Sequence, residues 1–362
     1  MSNKPPIEVP QGAIRFNTDS QKLEFYAQDR WWEMATDDRN LGGNGGASGS
    51  PTGNSADKVA GARMVMAGAE TPGNNFHTHI GYLNIASFGN EIDFGDLSDA
   101  SLRFRGPASS RTRGLFAGGT NPSSSPGLQS GIQYVEIATT GNSVSFGSLS
   151  SIKRGVHGAS SATRGVFMGG RTPSYTDTMD YVQFATTGNA SDFGNLTESE
   201  EFGSGCQSPI RGFRMGGYTP SGYTKRIDMF TFATLGNAVE FGDMVDGYYG
   251  SQNGCSNITR GFYVGGGAPT NTGTYEYFQM ASGGNAILHG DLSSSGGTGE
   301  RYGSVSSSLT RGIYAGGYNS NGYHNMIQCF ELSTGGTATD FGDRLNNCTD
   351  SAGVSNAHGG LG

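Results

Sequence analysis

The chain repeats one arrangement of apolar and polar positions. Its clearest copy begins with small residues at 155–162, followed by Thr163-Arg164. The apolar run Gly165-Val166-Phe167-Met168 then ends in Gly169-Gly170. A polar stretch at 171–178 leads into 179–186, where apolar and polar residues alternate, and Thr187-Gly188-Asn189 precedes 191–196. Short apolar or alternating runs bounded by Gly, Asn and Thr predict strands. This copy predicts four, a to d in chain order, with tight turns at 163–164 and 187–189. The small side chains of strand a suit an innermost strand, where neighbours crowd around an axis.

Two markers recur in register. Arg-Gly, an apolar run and a Gly pair start at Arg113, Arg164, Arg211, Arg260 and Arg311, with a worn copy at Arg63. Asp93-Phe94-Gly95, Ser145-Phe146-Gly147, Asp192-Phe193-Gly194, Glu240-Phe241-Gly242, Leu288-His289-Gly290 and Asp340-Phe341-Gly342 keep the same beat. Six copies about 50 residues apart predict an all-β fold, a six-bladed β-propeller over 62–362 with four strands per blade. The first copy lacks a strand a before Arg63, and 348–360 read as a spare one. The C-terminal segment is therefore expected to close the ring as the innermost strand of the first blade. Sixfold recurrence gives the arginines a structural role. Each is expected to bond nearby carbonyls or an acidic residue of a neighbouring strand d, such as Asp192, Glu240 or Asp340. The Asp-Phe-Gly marker is expected to form turns.

Residues 1–37 follow another pattern. Ile14 and Phe16, then Leu23 and Phe25, alternate with polar residues around Asn17-Thr18-Asp19-Ser20, and Trp31-Trp32 follow a second turn. That is a hairpin with a third strand. A unit so small is marginal alone, so Ile14, Phe16, Leu23, Phe25, Trp31 and Trp32 are candidate docking residues toward a partner or further copies of the chain. Residues 38–61 are rich in Gly, Ser and Asn and read as a linker.

Strand alternation puts the a–b and c–d turns on one face of the propeller and the b–c and d–a loops on the other. The first set is short and uniform. The second is long, varied and aromatic, and binding functions concentrate on such loops. Candidate ligand-contacting residues are Tyr175, Tyr218, Tyr223, Tyr248, Tyr249, Tyr275, Tyr318 and Tyr323. Glu198, Glu200, Glu201 and Asp246 fall in d–a loops, where a solvated acid is the expectation. His157 and His289 read as packing or channel-lining residues.

Composition narrows the function. Only 34% of the 362 residues are hydrophobic and 62 are Gly, yet 16 Tyr and 20 Phe in strict period argue against disorder. A formal charge of −8 with five Lys and no basic stripe makes nucleic acid an unexpected partner. No apolar run approaches the ~20 residues that span a bilayer, and 1–6 contain no apolar core for a signal peptide. The four cysteines show no metal-type spacing and read as reduced thiols, Cys206 and Cys255 at equivalent packing positions. No Ser/His/Asp set, zinc spacing or repeated Ser-x-Asp-x-Gly-x-Thr-Trp turn appears, so neither an enzyme nor a cofactor is expected.

The segment "GAIRFNTDSQKLEFYAQDRWWEM" at 12–34 resembles the short N-terminal module of many tailed-phage fibre and other virion proteins. Strand b ending in Gly-Gly, followed by a Tyr-containing loop, resembles the kelch class, although the usual kelch Trp is absent from every repeat. These resemblances imply a structural protein of a tailed-phage virion, made in the bacterial host cytoplasm. Its residues 1–40 would join other virion proteins, with a homo-oligomer, a trimer, as the expected state. The propeller would contact a host-surface glycan or protein. A capsid or neck decoration without receptor binding, or a cellular kelch adaptor, are the other readings.

Overall fold

The computed structural model describes residues 10, 13–17, 22–27, 30–33, 62–73, 75–98, 105–121, 127–247, 254–267, 272–293 and 299–361. The chain divides into two compact units, Met1–Gly43 and Asn44–Gly362.

The first unit is an antiparallel three-stranded sheet, Ile14–Asn17, Lys22–Ala27 and Arg30–Glu33. Arg15 Nε donates to Glu24 Oε2 at 2.8 Å, its guanidinium lies 4.2 Å from the Trp31 ring centre, and Trp31 meets Tyr26 at 5.3 Å. Ile14 and Phe16 lie on the other face and are 63% and 58% exposed. Register pairs Ile14 with Phe25, Phe25 with Trp32, and Phe16 with Leu23. Trp31 lies on the same side of the sheet as Arg15 and Tyr26.

The second unit is a six-bladed β-propeller of antiparallel sheets. Blade 3 shows the plan, with strands a to d at His157–Ser160, Arg164–Met168, Ser174–Gln183 and Ser191–Glu200, paired in that order. Blade 2 uses Gly106–Ser109, Arg113–Ala117, Gly131–Glu136 and Val144–Ser148. Blade 4 uses Ser204–Gln207, Arg211–Met215, Arg226–Thr231 and Val239–Asp243. Blade 5 uses Cys255–Ser256, Arg260–Val264, Thr274–Gln279 and Ile287–Asp291. Blade 6 uses Ser304–Ser307, Arg311–Asn319, Gly322–Glu331 and Thr339–Asp343. Blade 1 takes strand a, Ala352–Ser355, from the far end of the chain and lays it against Arg63–Thr71, followed by Asn75–Asn84 and Ile92–Asp96. Closure by the C-terminal segment is as the repeat count implies.

Every seam between blades buries its own apolar cluster, including the one between blades 6 and 1, where Met64, Met66 and Leu83 meet Ile313, Ile327 and Phe341. Strands a are buried throughout because they touch each other by backbone. A Cβ on Gly205 would stand 1.9 Å from Gly158 O of the preceding blade, so only hydrogen fits there.

Three devices recur at the seams. First, the repeat arginines reach carbonyls at the end of strand c in the next blade. Arg164 Nη1 donates to Phe232 O at 2.5 Å, Arg63 Nη1 to Ile137 O at 2.9 Å, and Arg311 Nη1 to Ala86 O at 3.3 Å across the closure. The carboxylates beside them are Glu136 for Arg113 and Glu331 for Arg311, on their own strand c. Asp192, Glu240 and Asp340 do not serve, because strand d lies too far out in the blade. Arg164 itself begins strand b, so the a–b turn precedes it. Second, the Phe-Gly marker lies within strand d and not in a turn, with register shifts in strand c–d pairing there. It locks onto the Gly-Asn turn of the next blade. Gly236 N donates to Phe193 O at 2.8 Å, Asn237 Oδ1 accepts from Asn195 N at 3.0 Å, and a Cβ on Gly194 would stand 2.4 Å from Gly236 O. Third, a polar residue buried mid-strand c accepts the amide four residues past the marker Phe of the preceding blade. Asp228 accepts from Thr197 N at 3.1 Å, Glu276 from Val245 N at 2.7 Å, and Gln133 from Ser98 N at 2.9 Å. Blade 1 has Gly81 at this place, and Glu91 fills the space, accepting from Leu345 N at 2.9 Å.

Beyond Ser355 the chain turns into the axis. His358 is buried, with Nε2 2.9 Å from Ser109 O and Nδ1 3.0 Å from Gln207 Nε2, and Arg111 Nη2 donates to Leu361 O at 2.8 Å. The axial cavity left beside His358 is about 20 Å³, room for roughly one water. All four cysteines are buried and unbridged.

Candidate binding site

The b–c and d–a loops meet on one face. In blade 4, strand b continues after its Gly pair into a small hairpin, Tyr218–Thr219 with Gly222–Tyr223, turning at Pro220-Ser221. Thr219 Oγ1 caps the turn by donating to Gly222 O at 2.9 Å. The d–a loop zips onto it: Glu201 N donates to Tyr218 O at 3.0 Å and Tyr218 N to Glu201 O at 2.8 Å. Blade 6 builds the same clasp from Tyr318, Gly322 and Tyr323, with Arg301 bridged to Tyr318. The tyrosines of each hairpin are cross-strand partners packed edge to face, 5.3 Å apart at 66° in blade 4 and 5.4 Å at 86° in blade 6. Such geometry suits the ring quadrupoles.

The loop enters each clasp through a left-handed residue, Phe202 or Tyr302, both at φ 60°. Bulky residues seldom adopt this conformation, and the two-way backbone bridge holds it. Arginines stack on these rings: Arg154 on Phe202 at 6.0 Å, and Arg301 between Tyr302 at 5.1 Å and Tyr318 at 5.0 Å. Arg171 lies 4.9 Å from the Tyr175 ring centre, and Tyr175 stands 6.0 Å from Tyr218. Tyr175, Tyr218 and Tyr223 therefore form one aromatic run from blade 3 to blade 4. Tyr223 is its outermost member, 49% exposed. Tyr318 and Tyr323 form a second, half-buried group, tied to blade 1 by Tyr323 Oη donating to Glu70 Oε1 at 3.2 Å.

Tyr275 is a correction. It lies inside strand c of blade 5, fully buried, with its hydroxyl donating to Gly336 O at 2.7 Å. It occupies an inward position of the strand that Ile227 and Ile327 occupy elsewhere, and the loop ends before it. Burial pushes its hydroxyl up to about 12. Tyr248 and Tyr249 lie outside the described residues.

Glu200 and Glu201 are also corrections, because both are buried rather than solvated. Glu201 sits between Arg154 Nε at 3.3 Å and Arg171 Nη1 at 3.4 Å. Burial holds its carboxyl above the usual range despite these cations. Glu200 lies beneath the clasp, accepting from Gly203 N at 3.1 Å, with Oε1 3.3 Å from His157 Nε2. Burial raises Glu200 to about 8, against the pull of Arg214, and lowers His157 to about 3, helped by Arg214 and Lys153. At neutral pH both are uncharged. The charges around them are matched: Lys153 with Asp180 at 2.8 Å, and Arg214 with Asp228 at 2.9 Å. His289 packs among Phe262, Tyr275 and Tyr277.

The sequence reading placed Phe202 and Tyr302 among the aromatics of the d–a loops, and the supporting arginines Arg154, Arg171 and Arg301 escaped it. A signal for the clasps existed. Glu200-Glu201-Phe202-Gly203-Ser204 parallels Glu300-Arg301-Tyr302-Gly303-Ser304, and Gly217-Tyr218 with Gly222-Tyr223 parallels Gly317-Tyr318 with Gly322-Tyr323. Among the described residues no group of three or more His, Cys, Asp or Glu could hold a metal ion, and no helix is long and apolar enough to cross a membrane. Neither the protein-family models nor the curated proteins contain a match to this chain.

Proposed function

We propose that this chain is a structural virion protein of a tailed phage, and that its propeller binds a host-surface glycan or protein through the loop face. The observation that carries the binding reading is the clasp, built twice. Backbone bridges and edge-to-face packing fix the tyrosines before any ligand arrives, so little freedom is lost on contact. Aromatic faces flanked by arginine and amide groups match the apolar faces and hydroxyls of sugar rings. Binding, not catalysis, is the role: the buried carboxyls under the clasps are occupied with holding it. The virion assignment rests on the resemblance of residues 12–34. The exposed Ile14 and Phe16 give that sheet an apolar face to bury against virion partners or further copies of itself.

Adsorption of the fluorescently labelled full chain to candidate host cells tests the binding role. Saturable adsorption is expected for the native protein and its loss for Tyr223→Ala. Undiminished adsorption of folded Tyr223→Ala overturns the loop-face assignment. Failure of the folded native chain to adsorb favours a decoration protein.

A further inference from the structure

The repeat arginines are not all alike. Five stack on an aromatic ring: Arg63 on Tyr82, Arg113 on Tyr134, Arg164 on Tyr181, Arg260 on Tyr277 and Arg311 on Phe88, at 4.3 to 5.5 Å. Arg211 does not. The strand c position that holds Tyr181 in blade 3 holds Met229 in blade 4, and the position of Glu136 and Glu331 holds Thr231. Among the described residues Arg211 meets neither ring nor carboxylate; its Nη1 donates to Met280 O at 3.0 Å and Ala281 O at 3.3 Å. The neighbouring turns are altered as well. Thr112, Thr163, Thr259 and Thr310 precede the arginine in four other blades and Ala62 in blade 1, whereas Ile210 stands here, 65% exposed. Ile258 in the next blade's turn is 48% exposed.

Arg211, Ile210 and Ile258 meet at one cavity of about 330 Å³ on the turn face, at the seam of blades 4 and 5. Pro209, Ile210, Ile258 and Met280 wall it and Arg211 lines it. Its size falls within the roughly 300–1,000 Å³ of small-molecule sites, which pair apolar walls with few oriented polar groups. We propose that this cavity binds a small organic anion, a compact apolar body bearing a carboxylate or sulfonate, with the anion on Arg211. The cation lacks a counter-charge of its own in a chain of net charge −8. Its planar donors suit a two-oxygen acceptor. The site is on the face opposite the clasps and is independent of the function proposed for them.

The test uses 1-anilinonaphthalene-8-sulfonate, an aryl sulfonate, titrated into the full chain by fluorescence. Two variants restore residues that other blades carry: Ile210→Thr removes a wall, and Met229→Tyr offers Arg211 a ring to lie on. Both should melt close to the native protein. Saturable binding of one probe per chain is expected, weakened on the order of tenfold or more in each variant. Naphthalene-1-sulfonate should displace the probe, and 1-naphthylmethylammonium, of the same ring and opposite charge, should not. Undiminished binding in either folded variant, equal displacement by both competitors, or no saturable binding overturns the proposal.

Discussion

The clasps of blades 4 and 6 share a backbone and differ in what lies beneath. Glu300 Oε2 is 2.6 Å from His324 Nε2, and Oε1 accepts from Asn319 Nδ2 at 3.3 Å. Among the described residues Glu200 has only the Gly203 amide as a hydrogen-bond donor, and the His157 ring beside it is too buried to charge. Gly-Tyr spacing and the left-handed Phe202 or Tyr302 build the clasp. The buried acid can then be satisfied by side chains or left neutral. One backbone element can therefore be copied while its electrostatics drift.

The sharpest break comes from removing each acid. Glu300→Leu strands His324 Nε2 and Asn319 Nδ2, and should cost about 3 kcal/mol. Glu200→Leu removes a neutral group with one amide partner and should cost less, about 1 kcal/mol. Urea unfolding of the two variants measures the gap, and equal losses would dissolve the distinction.

Titration probes the acid beneath the blade 4 clasp next. Glu200 rises from 4.5 unfolded to about 8 folded, so its contribution is complete below pH 4.5 and is lost as pH rises toward 8. His157 falls from 6.5 to about 3, so its contribution is complete above pH 6.5 and is lost as pH falls toward 3. Between pH 6 and 8 the native protein should lose up to about 1.4 kcal/mol per pH unit through Glu200. Glu200→Gln should flatten that loss, which thermal melts at the two pH values would record.

The smallest expected difference concerns the outer tyrosines. Tyr323→Phe loses the bond to Glu70 and should cost about 1 kcal/mol. Tyr223→Phe, at an exposed ring, should shift stability by less than about 0.5 kcal/mol. Melting temperatures would rank them.

The blades could be read from the chain because each device repeats. Arg-Gly, Gly-Gly, Phe-Gly and Gly-Asn all mark places where backbones touch, and close contact between backbones tolerates few residue types. Strand c hid its function for the opposite reason. Gln133, Asp228 and Glu276 differ in type yet accept equivalent amides, so no single letter runs through the blades at this place. Tyr275 looked like a loop residue because it follows a run of Thr, Asn and Gly that gives no sign of strand c beginning at Thr274. Glu200 and Glu201 looked solvated because a charged pair normally is. What buries them is the hairpin of Tyr218 and Tyr223, folded back from later in the sequence. The vacant stacking place on Arg211 is visible only once Met229 is known to lie across from it.

Ring closure also decides how the propeller carries load. The strand Arg63–Thr71, by which the chain enters the ring, is held on both flanks, by Ala352–Ser355 and by Asn75–Asn84. Tension applied at Ala62 cannot peel that strand from an edge one bond at a time. It must shear two ladders together, so the force is divided over many backbone bonds, and the point of attachment is mechanically among the strongest places in the wheel.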